Sequence, residues 1–188
     1  MKTTRLEGEP LAGSSAPSDF ATQYAVRGEY QRPDTAQTLR EGLQEYYAVN
    51  PGLSDPSTIV NPRSAQYFHN HDCTHVVFGT HTGPLDEGVN DLFTFFGVDV
   101  RYRDYILGFF ATKEGQQIIA SYSVSSTLRL VVGTLRLLPK IWRSCRGMKK
   151  KWPWAPPPEL LDRPLVELRA AYGIEVWRPE VALGLREK

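Results

Sequence analysis

"YRDYILGFFATKEGQQIIASYSVSSTLRLVVGTLRLLPKIWRSCRG", Tyr102 to Gly147, decides the fold class. The stretch is long and rich in apolar residues. It has no Asn-Gly hairpin turn and little of the strict alternation that a half-buried strand needs, so helices account for it better than strands. Only within "SVSSTLRLVVGT", Ser123 to Thr134, are Val and Thr dense enough to leave a strand open. Upstream, Thr35 can cap a helix through "AQTLREGLQEYYA", where Leu39, Leu43, Tyr46 and Tyr47 recur at helical spacing. Three prolines make Asn50 to Arg63 a connection, and a helical pattern resumes in "SAQYFHNHDCTHVVFG", Ser64 to Gly79. Gly79 and Gly83 break it, and Pro84 suits the first position of the next helix, "PLDEGVNDLFTFFG". Beyond the Pro-rich turn at 156–158, a short helix ends at Gly173.

The expected fold is therefore all-α, a single helical domain over residues 34–188. Residues 1–33 mix Gly, Ser, Pro and charge without a period, and read as a loosely ordered N-terminal extension, mobile or draped on the domain. With 188 residues, 41% of them hydrophobic, one substantial core is available. A net charge of +1 gives no reason to expect nucleic acid. Cys73 and Cys145 are too few for a disulfide framework, the N-terminus lacks a secretory apolar core, and no apolar run spans a bilayer. A reducing cytoplasm is the expected setting.

All four histidines fall within "HNHDCTHVVFGTH", His69 to His81. On a helix His71 and His75 lie roughly 40° apart, with Asp72 roughly 60° further round, so the three can approach one ion. Cys73 points away. Glu87, in the opening turn of the following helix, can complete the set. Zinc accepts these ligand types, and carboxylate oxygens also suit magnesium, so the residues leave the ion open. His69 and His81 lack the favoured geometry and read as partly exposed. The pattern His71-Asp72-x-x-His75 also resembles the zinc-peptidase helix, but its turn glycine is displaced by one position and Asp72 is one methylene short. A metal-dependent hydrolase is thus one alternative.

The full string His71, Asp72, His75, eleven residues, Glu87 resembles the signature of the coenzyme Q (ubiquinone) biosynthesis protein 4 family. A second resemblance lies in "IWRSCRGMKKKW" and "PLVELRAAYGI". The resemblance implies an all-helical fold and a divalent metal held by His71, Asp72, His75 and Glu87. It implies work on polyprenylated quinone precursors at a membrane face, either in oxidative decarboxylation at ring carbon C1 or as an organiser of other quinone-biosynthesis proteins. Zinc is the expected ion and magnesium the alternative. A bacterial version, peripheral to the cytoplasmic face and homo-oligomeric, is expected; a non-catalytic prenyl-lipid-binding module is the first alternative and the metal-dependent hydrolase the second. No redox-cofactor motif or Gly-rich phosphate loop occurs, so any oxidation would rely on the metal or on oxygen.

A lipid ligand has a counterpart in the helix expected through Leu128 to Arg146. Arg129, Arg136, Lys140 and Arg143 fall on one stripe, with Leu128, Val131, Leu135, Leu138 and Trp142 opposite. The apolar side suits a prenyl chain or acyl tails. The basic side, with Lys149, Lys150 and Lys151, suits anionic headgroups.

Overall fold

The computed structural model describes residues 28–50, 53, 55–113, 115–116 and 124–179, without the side chains of 124–127 and 129. Its helices are α1 (Leu39–Val49), α2 (Pro62–Phe78), α3 (Pro84–Gly97), α4 (Tyr102–Phe110), α5 (Val124–Gly147), α6 (Pro158–Leu161) and α7 (Leu165–Tyr172), with single 3-10 turns at Glu29–Gln31 and Pro56–Thr58. The fold is all-α. Among the described residues there is no strand, only isolated bridges between Thr38 and Pro164 and between Val98 and Trp152. The Val- and Thr-rich part of α5 is helical, and the helix runs through Pro139. No described helix is long and apolar enough to cross a membrane.

α2 organises the rest. Asn61 starts it, its side chain accepting from the backbone N–H groups of Arg63 and Ser64, and Pro62 occupies the first turn, where no N–H is needed. Gly79 ends it at φ +74, a left-handed conformation that glycine adopts without strain. From Asp72 to Thr80 every residue is buried. A helix enclosed on all sides is ordinarily apolar all round. This one carries Asn70, His71, Asp72, Thr74 and His75, so its polarity must serve something other than packing.

The C-terminal carbonyls of α2 that lack intrahelical partners are met by tertiary donors. Arg169 of α7, only 3% exposed, donates to Val76 O at 2.8 Å and Val77 O at 2.9 Å, and also to Tyr30 O and Arg32 O. The backbone N–H of Trp177 donates to Phe78 O, the Gln31 amide to Gly79 O, and the Tyr30 hydroxyl to Thr80 O. Within residues 28–33, Tyr30 and Gln31 are thus buried while Glu29, Arg32 and Pro33 are exposed, and the backbone N–H groups of Glu29 and Tyr30 donate to Glu45. Residues 1–27 of the expected extension lie outside the described residues.

α1 begins three residues later than expected. Thr38 is its N-cap: the hydroxyl accepts from Glu41 N and the Glu41 carboxylate accepts from Thr38 N. This reciprocal capping box outweighs what Thr35 offers. α3 lays Val89, Leu92 and Phe93 into the core, and Phe93 stacks on Phe78 with centroids 4.6 Å apart. Each such side chain contributes about 1.5–3 kcal/mol of burial. α3 and α5 share the most extensive helix contact, and Gly88 makes it possible, because a Cβ there would collide with the Thr134 side chain.

α5 packs through Thr134, Leu137, Ile141 and Cys145. Leu128, Val131, Leu135 and Trp142, expected to form an apolar side opposite the basic one, are exposed, and only Leu138 is partly buried. Both sides of the helix carry aliphatic residues, and α3 takes the one that Gly88 opens.

Candidate metal centre

α2 and α3 meet through the Gly79–Pro84 turn, which brings Glu87 back over the two histidines. His71, His75 and Glu87 each offer one ligand atom, and the three atoms lie within 4.8 Å of one another. Glu87 Oε2 stands 3.3 Å from His75 Nε2 and 3.9 Å from His71 Nε2. His75 is completely buried, yet its Nε2 makes no hydrogen bond. Its polar neighbour is the Glu87 carboxylate, and two acceptors facing each other in a buried site need a proton or a cation between them.

The surrounding hydrogen bonds orient the His75 ring. The Thr74 hydroxyl donates to His71 O at 2.6 Å, so its oxygen is left to accept from the Asn90 amide nitrogen at 2.9 Å. Asn90 therefore turns its carbonyl oxygen to the Thr80 hydroxyl, which donates to it at 3.3 Å. With that proton committed, Thr80 accepts from His75 Nδ1 at 2.9 Å, and Nε2 is left bare toward Glu87. His71 differs. Its Nδ1 faces Asp72 Oδ1 at 3.6 Å, but its Nε2 lies 3.4 Å from the Asn90 amide nitrogen, a contact that an ion at Nε2 would have to displace. Both imidazoles turn Nε2 toward Glu87, and at His75 the outer partner Thr80 sets the tautomer.

Asp72 does not join the three ligand atoms. It sits on the Nδ1 side of His71, and its other oxygen accepts from the Tyr47 hydroxyl at 2.9 Å. Cys73 is buried away from the site, and burial pushes its thiol up, disfavouring the thiolate a metal needs. His69 and His81 are half-buried and outside the ligand group. Asp86 is spent on the backbone N–H of His81 and on Trp177 Nε1.

Charge makes the centre unbalanced. Among the described residues no Lys or Arg pairs with Asp72, Glu87 or Asp91. Burial lowers the affinity of His71 for its proton. Hydrogen bonding to Asp72 and the charges of Glu87, Asp72 and Asp91 outweigh that loss and raise the group to about 9. Burial likewise opposes ionisation of Glu87, but His75 and His71 pull it below its usual range. A divalent cation would replace the proton on His71 as counter-charge, and two imidazoles with a carboxylate are ligand types that such an ion accepts. The residues present fit such an ion.

Asp91 carries no motif of its own in the sequence. It follows Glu87 by one helical turn, lines the same cavity and accepts from the Tyr105 hydroxyl at 2.5 Å. The i,i+4 spacing of the two carboxylates was the available signal. The cavity itself holds about 410 Å³ and runs from His71 and Glu87 between Leu53, Phe68, Ile106 and Leu130.

The residues expected to contact lipid divide into groups. Arg136, Lys140, Trp142, Arg143 and Lys151 are exposed, and the Arg129 side chain lies outside the described residues. Lys149 donates to Ala170 O at 2.8 Å, and Lys150 Nζ sits 4.2 Å from the centroid of the Tyr172 ring. These two lysines are engaged within the chain. Comparison with protein-family models, with curated proteins and with solved structures finds no match for this chain.

Proposed function

We propose that this protein binds a divalent metal, zinc, through His71, His75 and Glu87, and holds a polyprenylated quinone precursor beside it, as a participant in ubiquinone-type biosynthesis. One observation carries the reading. His71 and Glu87 line a 410 Å³ cavity whose walls are mainly aromatic and aliphatic, and the buried His75 stands behind Glu87 at 3.3 Å. Such a space suits a molecule with a polar ring at the metal and an isoprenoid chain running away from it. Bound there, a divalent ion would supply Lewis-acid polarisation of a ring oxygen or carboxylate. The chain's own groups do the rest: Thr80, itself bonded to Asn90, holds the His75 imidazole, Phe68, Ile106 and Leu130 exclude water, and Asp91 with Tyr105 offers a proton site at the ring.

The exposed apolar residues agree with delivery from a membrane. Leu107 and Phe110 on α4 and Leu128, Val131, Val132 and Leu135 on α5 are all exposed, and the same two helices contribute Ile106, Phe109 and Leu130 to the cavity. α5 has no acidic residue, so an anionic, cytoplasm-facing bilayer suits it. A second copy and other quinone-biosynthesis proteins are further partners on this reading.

A peptidase-like hydrolase is disfavoured by Asp72, which would be its general base but faces Tyr47 and His71 Nδ1. Native mass spectrometry of the purified protein should find one metal ion and one extractable prenyl lipid per chain. Metal-dependent conversion of a prenylated ring carboxylate under dioxygen would establish the catalytic form, and stoichiometric lipid without turnover the carrier form. Chelator-sensitive peptide cleavage with no lipid bound would overturn both.

A further inference from the structure

A second cavity, about 660 Å³, shares no lining residue with the first. It lies between the C-terminal half of α5, α7 and the segment 174–178. Lys140 and Arg143 reach it from α5, Arg169 from α7 and Arg178 from the C-terminal segment, against one carboxylate, Glu175. Phe93, Ile141 and Trp177 supply apolar wall. Three arginines and a lysine from three separate elements therefore border one concavity, and the arginines alone outnumber its one carboxylate by two.

Arg143, Arg169 and Arg178 form no ion pair among the described residues. Arg169 is buried and rigidly held, but all four of its hydrogen-bond acceptors are neutral carbonyls, so its charge persists. Arg143 and Arg178 are exposed at the rim. Like charges converging on a low-dielectric hollow raise its potential and favour an anion there.

We propose that this cavity binds a phosphate group carried on a partly apolar body, with Arg143 and Arg178 contacting the phosphate oxygens and Arg169 supplying a fixed positive charge behind them. Two planar guanidiniums match the tetrahedral oxygens of phosphate better than they match a halide. The apolar wall gives the remainder of the molecule a place to lie. The site does not depend on the metal centre or on its reading. The phosphate can belong to a soluble phosphorylated metabolite or to a phospholipid headgroup.

Isothermal titration of the full chain with hexyl phosphate, inorganic phosphate and hexanol tests the site. Hexyl phosphate should bind saturably and more tightly than inorganic phosphate, hexanol should not bind, and high salt should weaken the interaction. The double variant Arg143→Gln, Arg178→Gln should lose affinity ~10-fold or more, with helical content and metal content unchanged. Cosedimentation with phosphatidic acid vesicles separates the sources. Recruitment that the double variant loses identifies a headgroup, and soluble binding without such recruitment identifies a metabolite. Absence of saturable hexyl phosphate binding, or equal affinity in the double variant, overturns the proposal.

Discussion

Arg169 and the His71–His75–Glu87 centre are both buried charged sites built against α2, yet they are completed to different degrees. Four N–H groups of Arg169 donate to main-chain carbonyls, and the acceptors are the carbonyls that the end of α2 and the 28–33 segment would otherwise leave unmet. At the other centre His75 Nε2 has no hydrogen bond, and three carboxylates gather around two imidazoles without a lysine or arginine. A buried polar group with its bonds made holds the fold. One with an unmade bond beside two further ligand atoms forms a group that could hold a metal ion.

The sharpest way to break this comparison is to treat both centres alike. Arg169→Met would leave several buried carbonyls unmet at about 1–3 kcal/mol each, so a loss of about 4 kcal/mol or more in urea unfolding is expected. A loss below 1 kcal/mol would show that Arg169 is not what ties the ends of the chain to α2. His75→Ala also costs stability in the metal-free protein, because it empties a fully buried site, ends the stacking on Tyr46 and removes the Nδ1 bond to Thr80. Its distinguishing effect appears on adding zinc. The wild-type protein should gain about 4 kcal/mol at a thousandfold excess of free metal over Kd, and the variant nearly none. Equal stabilisation of both would remove His75 from the ligand set.

The sequence showed one centre far better than the other, for a physical reason. His71, His75 and Glu87 stand out because ligand type and helical spacing are local properties, and the helix ends at Gly79, Pro84 and Gly173 are equally local. Arg169 meets Val76 and Tyr30 across 93 and 139 residues, and no local pattern reports that. Thr80 and Asn90 matter only because each faces the other and a histidine. On α5 periodicity revealed an apolar stripe and a basic one, but which side is packed depends on the opening at Gly88 in another helix. Asp72 matched by spacing and failed to converge because its carboxylate is turned to Tyr47.

Proton occupancy gives a third, smaller test. In the metal-free protein His71 is raised to about 9, from 6.5 in the unfolded chain. A base raised on folding contributes stability that is fully present below the unfolded value and is lost as pH climbs through the folded one. Metal-free protein should therefore lose up to about 3 kcal/mol of this contribution between pH 6 and 9, and His71→Asn should flatten that dependence. Metal affinity should move the opposite way, rising with pH as the proton on His71 ceases to compete. A metal affinity independent of pH across this window would contradict the assignment of His71 as a ligand.

Thr80→Val tests whether orientation matters as well as identity. It removes the acceptor that holds the proton on His75 Nδ1 while keeping nearly the same volume. Outer partners of metal-bound histidines are worth about 10–100-fold in affinity, so zinc binding should weaken by that factor with stoichiometry intact. Unchanged affinity would mean that burial alone fixes the ring.

The same distinction between spent and unspent groups sets the smallest expected effect. Basic residues near an anionic membrane contribute about 1 kcal/mol each, so changing Lys149, Lys150 and Lys151 to Gln would cost about three times that if all three faced lipid. Lys149 is committed to Ala170 O and Lys150 to the Tyr172 ring. Lys151 is the exposed member of the three with no hydrogen bond or ion pair among the described residues. The triple variant should therefore lose only about 1 kcal/mol of binding to anionic vesicles, read by cosedimentation at low salt, with the difference vanishing at high salt. A loss approaching the full sum would mean that the membrane draws Lys149 and Lys150 off their internal partners.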